Sequence, residues 1–318
     1  MRLVADIGGT NARFALDTSG TRLPSLSHIE KLKAKDYPRF DDALAHYLET
    51  TGNPSIGSVA LAVAGPIADT QIRFTNSSWA IDANAIAAQL GLPHCFLIND
   101  FEALAYGIDL LEEDGSCSVR SGRGHAKMPE IILGPGTGLG VALRFGDGDG
   151  VEVIPTEGGH IAFAPHSSRE IAALGVLHKW FGRVSVERIF SGLGIVNLYR
   201  AFCTLDDVPC TYERADEIAG AMHCGQDLRA KEAFALFFDG LGAFAGDCVL
   251  LSGARRGVWL GGGILPQLFN EFCASDFLTK FNAKGRVSGF LDDVPIRLIT
   301  DGHVALKGAA LALHRHFP

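Results

Sequence analysis

Apolar and polar positions alternate along the first third of the chain in a pattern typical of an α/β protein. Short apolar runs at 58–64 and 95–98 predict buried strands, because turn-forming or polar residues bound each of them. Segments 40–48, 82–90 and 101–111 have helical spacing, and Asp82 and Gly91 suit the two ends of the second segment. Strands and helices that alternate in this way predict a largely parallel sheet covered by helices.

Two glycine-threonine turns of similar sequence divide the chain into halves that begin alike. Gly8-Gly9-Thr10 and Gly136-Thr137-Gly138 each separate two apolar runs, and the run after each turn is short and partly alternating, as in a strand. A dinucleotide-binding or P-loop glycine turn opens into a helix instead. Each region therefore predicts a β-hairpin whose glycine tip brings backbone N–H groups close to an anion. The matched pair favours a nucleotide phosphate chain held from two sides, with a pair of ordinary hairpins as the alternative.

The polar segment 112–129, rich in Gly, Ser and Arg, predicts a boundary between two domains. Beyond it, helical spacing predicts helices at 169–181, 193–202 and 231–251, and an apolar run before Gly261-Gly262-Gly263 predicts a strand. We expect the alanine-rich helix near the end, 304–316, to return to the first domain, by analogy with other doubled folds. The expected domains are 1–111 plus about 301–318, and 112–300.

Net charge and composition argue against several classes of partner. The chain has 318 residues, a formal net charge of −8 and no long basic run, which argues against a nucleic-acid partner. No apolar stretch reaches the ~18 residues that span a bilayer, and no signal-peptide pattern is present, so we expect no membrane partner. The seven cysteines are scattered without a C-x-x-C pair, which favours free thiols in a cytoplasmic protein.

Asn99 and Asp100 follow the apolar run 95–98, at the carboxyl end of a predicted strand. In open α/β sheets this edge faces the ligand crevice, so Asp100 is a candidate catalytic carboxylate. Asn99 is equally well explained as a helix N-cap, with Glu102 completing a capping box. The two roles can coexist.

Glu157 and His160 flank two glycines in a predicted turn. Carboxylate and imidazole groups suit the hydroxyls of a polyol, although a metal site with His166 and a plain turn are alternatives. Glu187 by itself predicts a favourable charge at a helix N-terminus. The three glycines at 261–263 suit either a flat ring such as adenine or a tight turn from strand to helix.

In their order and spacing, these motifs resemble the bacterial glucokinase family, the non-ROK branch of the hexokinase and actin-like ATPase superfamily. The resemblance extends from residue 2 to about 315. It rests on Asp6-Ile-Gly-Gly-Thr-Asn-Ala-Arg13, Ile98-Asn-Asp-Phe101, Gly136-Thr-Gly-Leu-Gly140, Glu157-Gly-Gly-His160 and Trp259-Leu-Gly-Gly-Gly263. It implies a two-domain actin-like ATPase (ribonuclease H-like) fold with an interdomain active-site cleft.

The resemblance also implies an activity: transfer of the γ-phosphoryl group of ATP to the 6-hydroxyl of D-glucose, the first step of glycolysis. The expected small-molecule partners are glucose and ATP, with Mg²⁺ as cofactor, in a homodimer. Asp100 would be the general base, and glucose would contact Asn99, Asp100, Glu157, His160 and Glu187. ATP would contact Ala5, Asp6, Ile7, Gly8, Gly9, Thr10, Thr137, Gly138, Gly261, Gly262 and Gly263. Asp6 would lie near Mg²⁺ through water.

Two segments depart from the patterns of related kinases. The Gly158-Gly159-His160 turn runs into Ile161-Ala-Phe-Ala-Pro165 without the cysteines of the ROK zinc motif, so zinc is not implied. The stretch Asp301-Gly-His-Val-Ala-Leu306 departs from the usual Asn-Pro-Gly-containing stretch, so the resemblance does not predict the local backbone geometry there. The competing functions are a broader hexokinase or mannokinase, a non-catalytic sugar sensor and an actin- or chaperone-like ATPase.

Overall fold

The computed structural model describes residues 1–65, 67, 69–74 and 79–317, which form two compact units. The first unit contains Met1–Gly115, Asp147–Pro155 and the residues from Asp301 onward. The second contains Ser116–Gly146 and Thr156–Thr300. No sequence pattern indicated that 147–155 would group with the first unit. Pro318, the last residue of the expected first domain, lies outside the described residues.

The described residues form thirteen strands, numbered in chain order. They are β1 (Arg2–Ile7), β2 (Asn11–Asp17), β3 (Leu26–Lys33), β4 (Ser58–Val63), β5 (Gln71–Arg73), β6 (Ala80–Asp82), β7 (Cys95–Asn99), β8 (Ser116–Arg120), β9 (Glu130–Pro135), β10 (Leu139–Phe145), β11 (Glu152–Thr156), β12 (Gly257–Leu260) and β13 (Ile296–Ile299). Eleven α-helices lie among these strands within the described residues. They are α1 (Phe40–Thr50), α2 (Ala83–Leu90), α3 (Asp100–Gly107), α4 (Ser168–Phe181), α5 (Gly192–Leu205), α6 (Ala215–Cys224), α7 (Leu228–Ser252), α8 (Ile264–Gln267), α9 (Phe269–Ala274), α10 (Phe277–Asn282) and α11 (Val304–His316).

The main sheet of the first unit begins with a hairpin and continues with parallel strands. Its order is β3-β2-β1-β4-β7, with β1 antiparallel to β2 and parallel to β4, and β4 parallel to β7. One face of β1 enters a core with Phe40, Tyr47 and their neighbours from α1. The opposite face, represented by Val4, packs against α3 and α11. Both faces are covered, as expected for parallel strands joined by helices.

The sheet of the second unit repeats this arrangement. Its strands run β10-β9-β12-β13-β8, with β9 antiparallel to β10 and β12 parallel to both β9 and β13. A glycine hairpin followed by parallel strands therefore occurs in both units. The two glycine turns lie at the tips of β1–β2 and β9–β10, so the hairpins predicted from the sequence are confirmed.

Helix α7 is the long core helix of the second unit. Phe234, Phe237 and Leu241 are buried on it, and it packs against α5, α6 and α10. It is also the one helix in the described part of the chain whose length and composition would suit a membrane span, but 67% of its most apolar window is buried inside the protein. Its apolar character is therefore explained by core packing. The helix predicted at 231–251 is confirmed, but the expectation that no apolar stretch has the length of a bilayer span did not take it into account, because Asp239 and Asp247 interrupt its apolar residues.

Local signals account for most helix ends. The Asp82 carboxylate accepts hydrogen bonds from the N–H groups of Asn84 and Ala85, and Gly91 adopts the left-handed conformation after α2, as predicted. The segment predicted as one helix at 101–111 instead begins at Asp100 and changes to a 3-10 turn, Ile108–Leu110, after Gly107. At Gly107 a β-carbon would lie 2.2 Å from the carbonyl oxygen of Val304, so α11 packs directly on this backbone.

The segment 112–129, predicted as a boundary between domains, contains a strand that the sequence pattern did not predict. Ser116–Arg120 forms β8, which pairs antiparallel with β13 at the far end of the second sheet. The partner strand lies almost two hundred positions later in the chain, and β8 has no strong alternation of its own. Neither β13 nor α6 was predicted. Such pairing depends on tertiary structure and not on the local pattern.

Candidate active site

In the first unit, the register of the sheet aligns the ends of three parallel strands. Ile7 of β1 is opposite Val63 of β4, and Val63 is opposite Asn99 of β7. The turn after β1 and the start of α3 therefore lie at one edge of the sheet, two strand spacings or about 10 Å apart. This register brings the Gly8–Thr10 turn and the Asn99-Asp100 pair together, as expected from their positions after strands.

The turn after β1 presents backbone and a single hydroxyl. The Gly8 N–H group donates to the Asn11 carbonyl oxygen at 2.9 Å, and the Thr10 carbonyl oxygen accepts from the Ala34 N–H group at 2.9 Å. Thr10 is exposed, whereas Gly8 and Gly9 are half-buried. Ala5 and Ile7 are fully buried, so their side chains belong to the core and only their backbone is available to a ligand.

Asp6 lies in β1 just before this turn and pairs with Arg13 across the hairpin. The register places the two residues directly opposite each other, and Arg13 Nη1 is 3.5 Å from Asp6 Oδ2. Arg13 Nη1 also donates to the Gly302 carbonyl oxygen at 2.5 Å. Burial raises the pKa of Asp6, and the positive charge of Arg13 opposes that rise. The carboxylate is still partly open, with 28% of the side chain exposed.

Asn99 and Asp100 begin helix α3. Asn99 Oδ1 accepts hydrogen bonds from the N–H groups of Phe101 at 3.0 Å and Glu102 at 3.1 Å, so its role as an N-cap is confirmed. Burial raises the pKa of Glu102, and a hydrogen bond from the Asn99 backbone opposes this rise, as in a capping box. Asp100 occupies the first turn and is half-buried, and its Oδ1 accepts from the Phe101 N–H group at 2.9 Å.

In the second unit, the tip of the β9–β10 hairpin contacts the segment around Glu187. Thr137 is exposed at the tip, and the Gly136 N–H group donates to the Gly138 carbonyl oxygen at 2.8 Å. Glu187 lies in the 3-10 turn Val186–Arg188, and its Oε2 accepts from the Leu139 N–H group at 3.0 Å. Glu187 is thus not an isolated helix charge, because it is bonded to the hairpin.

The glycines at 261–263 pack against the same hairpin. The Gly261 N–H group donates to the Leu133 carbonyl oxygen at 2.8 Å. A β-carbon on Gly262, whose φ is +81°, would lie 2.3 Å from the Pro135 carbonyl oxygen. The run therefore forms a tight turn between β12 and α8, which leaves Gly263 exposed at the surface.

Glu157 precedes the 3-10 turn Gly158–His160, which His160 ends, and the turn rests on the start of β10. The side chains of Glu157 and His160 are 62% and 57% exposed, and His160 Nε2 is 3.7 Å from Glu157 Oε2. Between them, Gly159 approaches the Leu139 carbonyl oxygen so closely that a β-carbon would lie 2.1 Å from it. Leu139 therefore contacts both groups of residues. Its carbonyl oxygen packs against the turn that carries Glu157 and His160, and its N–H group binds Glu187.

The metal alternative with Glu157, His160 and His166 finds no support in this geometry. Within residues 1–65, 67, 69–74 and 79–317, no three His, Cys, Asp or Glu side chains are grouped so as to hold a metal ion. The His166 N–H group instead donates to Glu170 Oε2 at 2.6 Å, beside the N-cap of α4.

The sequence alone indicates no role for Arg13 or for the Leu139 N–H group. The Arg13 contact had a local signal, since a hairpin with its tip at 8–11 places position 13 opposite position 6. The Leu139–Glu187 bond had none, because its partners are 48 positions apart and belong to a loop and a strand.

Comparison with known proteins gives one consistent result. The glucokinase family model matches residues 3–316. The chain is 41% identical to a glucokinase of Pseudomonas paraeruginosa, over 99% of this chain and 93% of that protein.

Solved structures agree with the sequence comparisons. The crystal structure of glucokinase from an Antarctic psychrotroph has a TM-score of 0.82 and 33% identity and covers 98% of both chains. A ROK family glucokinase from Streptomyces griseus, in complex with glucose and AMPPNP, has a TM-score of 0.64 and 19% identity, over 97% of this chain and 98% of that one. The chain therefore has the mixed α/β, actin-like ATPase fold of these sugar kinases.

Proposed function

Because the chain belongs to the glucokinase family and catalyses the ATP-dependent phosphorylation of D-glucose to glucose 6-phosphate, we propose that Asp100 is its general base. A sugar hydroxyl is a poor nucleophile at neutral pH, and a carboxylate that accepts its proton typically contributes ~10²–10⁴-fold to the rate. The observation that carries this proposal is the register of β1, β4 and β7. It aligns the Gly8–Thr10 turn and Asp100 along one sheet edge.

We further propose that the two hairpin tips bind the phosphates of ATP, through Gly8, Gly9 and Thr10 in one unit and Thr137 and Gly138 in the other. Backbone N–H groups at such tips stabilise the charge on a transferred phosphoryl group without reorganising. Ala5 and Ile7 would contribute backbone only, since their side chains are buried. Gly261, Gly262 and Gly263 would border the adenine.

For glucose we propose Asn99, Asp100, Glu157, His160 and Glu187. Their carboxylate, amide and imidazole groups offer the acceptors and donors that vicinal hydroxyls require. The grouping of the last three around Leu139 supports this assignment, because one strand start holds them in fixed relation.

We propose that the metal ion of the site is Mg²⁺, not zinc, and that it binds beside the first hairpin. Asp6 offers a partly exposed carboxylate oxygen beside the Gly8–Thr10 turn, and Mg²⁺ prefers a few carboxylates together with water and phosphate oxygens. When bound, the ion neutralises charge on the phosphates. Arg13 holds the Asp6 carboxylate in place from the opposite strand.

The remaining assignments are proposals from the family resemblance: an interdomain cleft that closes on glucose, a homodimer, and a cytoplasmic location. Closure would exclude water and complete the site. Seven free cysteines agree with a reducing compartment. Small-angle scattering with and without glucose, together with light scattering for the mass, tests the first two assignments.

The variant Asp100→Asn tests the catalytic assignment. We expect kcat to fall by ~10²–10⁴-fold while the glucose Kd stays within tenfold, because the amide keeps its shape but accepts no proton. Asp41→Asn is the matched control, since Asp41 also lies in the first turn of a helix, α1. It should leave kcat within about twofold. A near-normal kcat in Asp100→Asn would refute the base assignment.

A further inference from the structure

The segment 187–192 is bonded to the β9–β10 tip on both sides of the turn. The Gly192 N–H group donates to the Gly136 carbonyl oxygen at 2.9 Å, before Thr137. The Leu139 N–H group donates to Glu187 Oε2 at 3.0 Å, after Gly138. Two hydrogen bonds thus hold the tip from one neighbouring segment.

That segment is itself ordered by Ser191. The Ser191 hydroxyl donates to the Glu187 carbonyl oxygen at 2.7 Å and accepts from the Gly194 N–H group at 3.0 Å. Ser191 is the N-cap of α5 and is buried. The backbone of Glu187 is therefore anchored to the core helix α5, and its carboxylate is left to interact with the tip.

Gly138 provides the space that this carboxylate occupies. A β-carbon at position 138 would lie 2.5 Å from Glu187 Oε2 and 3.3 Å from its carboxyl carbon. At Gly136, in the same tip, a β-carbon would meet no atom within 4 Å. The two glycines differ in this respect although both belong to one motif.

From these contacts we infer that Glu187 is a shared residue, which binds the sugar and also positions the phosphate-binding tip at Thr137-Gly138. One carboxylate oxygen holds the Leu139 N–H group, and the other serves a glucose hydroxyl. This inference rests on the proposed sugar role of Glu187 and adds a second role to it. Because Glu187 contacts both, a change at the tip that displaces its carboxylate is expected to alter glucose binding, and loss of the carboxylate is expected to alter nucleotide binding.

The first experiment measures the Kd of ADP by calorimetry without glucose, so that no sugar contact contributes. Glu187→Ala removes the acceptor for the Leu139 N–H group, and we expect the Kd of ADP to rise about tenfold. Glu187→Gln keeps an amide oxygen that can accept the same bond and should leave this Kd within about twofold. Both variants should weaken glucose binding, because a carboxylate acceptor is lost in each.

The second experiment measures the Kd of glucose without nucleotide. Gly138→Ala adds a methyl group that displaces the flexible end of Glu187, and we expect the Kd of glucose to rise about fivefold or more. Gly136→Ala alters the same tip without touching Glu187, and should leave the Kd of glucose within about twofold. Thermal unfolding of all four variants checks that the hairpin stays folded.

The results separate the two roles. Unchanged glucose binding in both Glu187 variants would overturn the sugar role, and with it the inference. Weakened glucose binding in those variants, with unchanged ADP binding in Glu187→Ala, would overturn the positioning role alone. Equal effects of Gly138→Ala and Gly136→Ala on glucose would also refute it, because displacement of Glu187 distinguishes the two changes.

Discussion

The hairpin tips at Gly8–Thr10 and Gly136–Gly138 share a sequence pattern, but their surroundings differ. A β-carbon on Gly8 would meet only the Asn11 carbonyl oxygen, at 3.7 Å. In the second hairpin, a β-carbon on Gly134 would lie 2.1 Å from the Gly261 carbonyl oxygen, and one on Gly138 would lie 2.5 Å from Glu187. Glycine therefore leaves open space at the first tip and permits close packing in the second hairpin.

The charges around the two hairpins differ as well. Asp6 and Arg13 face each other across the first hairpin, next to the open tip. The second hairpin also has a cross-strand ion pair, Glu130–Arg144, but it is buried at the end of the strands away from the tip, and at the tip itself the protein backbone and Glu187 supply the contacts. The glycines of the first hairpin thus leave room for a ligand, whereas those of the second allow close packing of backbone. The sequence motif is the same in both, so it does not by itself show why glycine is needed.

The largest contrast in stability is expected between Gly134→Ala and Gly8→Ala. The first change forces a methyl group into the Gly261 backbone, and we expect the free energy of unfolding to fall by about 1–3 kcal/mol or more. In Gly8→Ala the added methyl group meets no close neighbour, and the backbone φ at position 8 is one that alanine adopts readily. The free energy of unfolding should therefore change by less than about 1 kcal/mol. Urea denaturation checks both variants. Equal losses would remove the distinction between the two hairpins.

The next effect concerns the sugar residues grouped around the second hairpin. We expect Glu157→Gln and His160→Ala each to raise the glucose KM about tenfold with a smaller change in kcat, since each loses a hydrogen bond to a bound hydroxyl. His166→Ala is the control, because its N–H bond to Glu170 is made by the backbone. An unchanged glucose KM in both variants, or stoichiometric zinc in the purified protein, would exclude this assignment.

A pH effect is expected at the first hairpin. Burial already raises the pKa of Asp6, and Arg13 opposes the rise, so Arg13→Gln should raise this pKa further. Asp6 then remains protonated to a higher pH, and the acid limb of kcat/KM for ATP moves upward in pH. Above its pKa, ionised Asp6 also costs more stability in the variant, because its pKa exceeds the unfolded value.

The matched variant for this pH effect is Arg22→Gln. Arg22 pairs with Asp149 in the same unit and should not shift the profile. A pH profile of Arg13→Gln that coincides with the wild type would show that Arg13 does not tune Asp6.

The smallest effect separates the two roles of Asn99. Asn99→Ala loses the cap and should destabilise the protein by about 1 kcal/mol, whereas Asn99→Ser keeps a capping oxygen. We expect both to raise the glucose KM, because serine is too short to replace the amide. If Asn99→Ser restores both stability and glucose KM, Asn99 is a cap only.

Elements with strong local signals were predicted from the sequence, and those that depend on distant partners were not. The Asp82 cap, the Gly91 helix end and both glycine hairpins follow from residues within a few positions of one another. Strand β8 was missed because its pairing with β13 depends on residues far along the chain. The same distinction applies to the candidate site. Asn99-Asp100 was predicted as part of the site from its place after a strand, but the contact between Glu187 and Leu139 was not predicted.

The sequence alone determined the family, the paired hairpins and the residue types available for chemistry, because short motifs record local backbone requirements and chemical groups directly. Tertiary structure decided which groups meet. Arg13 reaches the carbonyl of Gly302, and the Glu187 carboxylate lies against Gly138, through contacts that span many positions of the chain. Such contacts depend on sheet register and close backbone packing, which arise only when distant segments fold together.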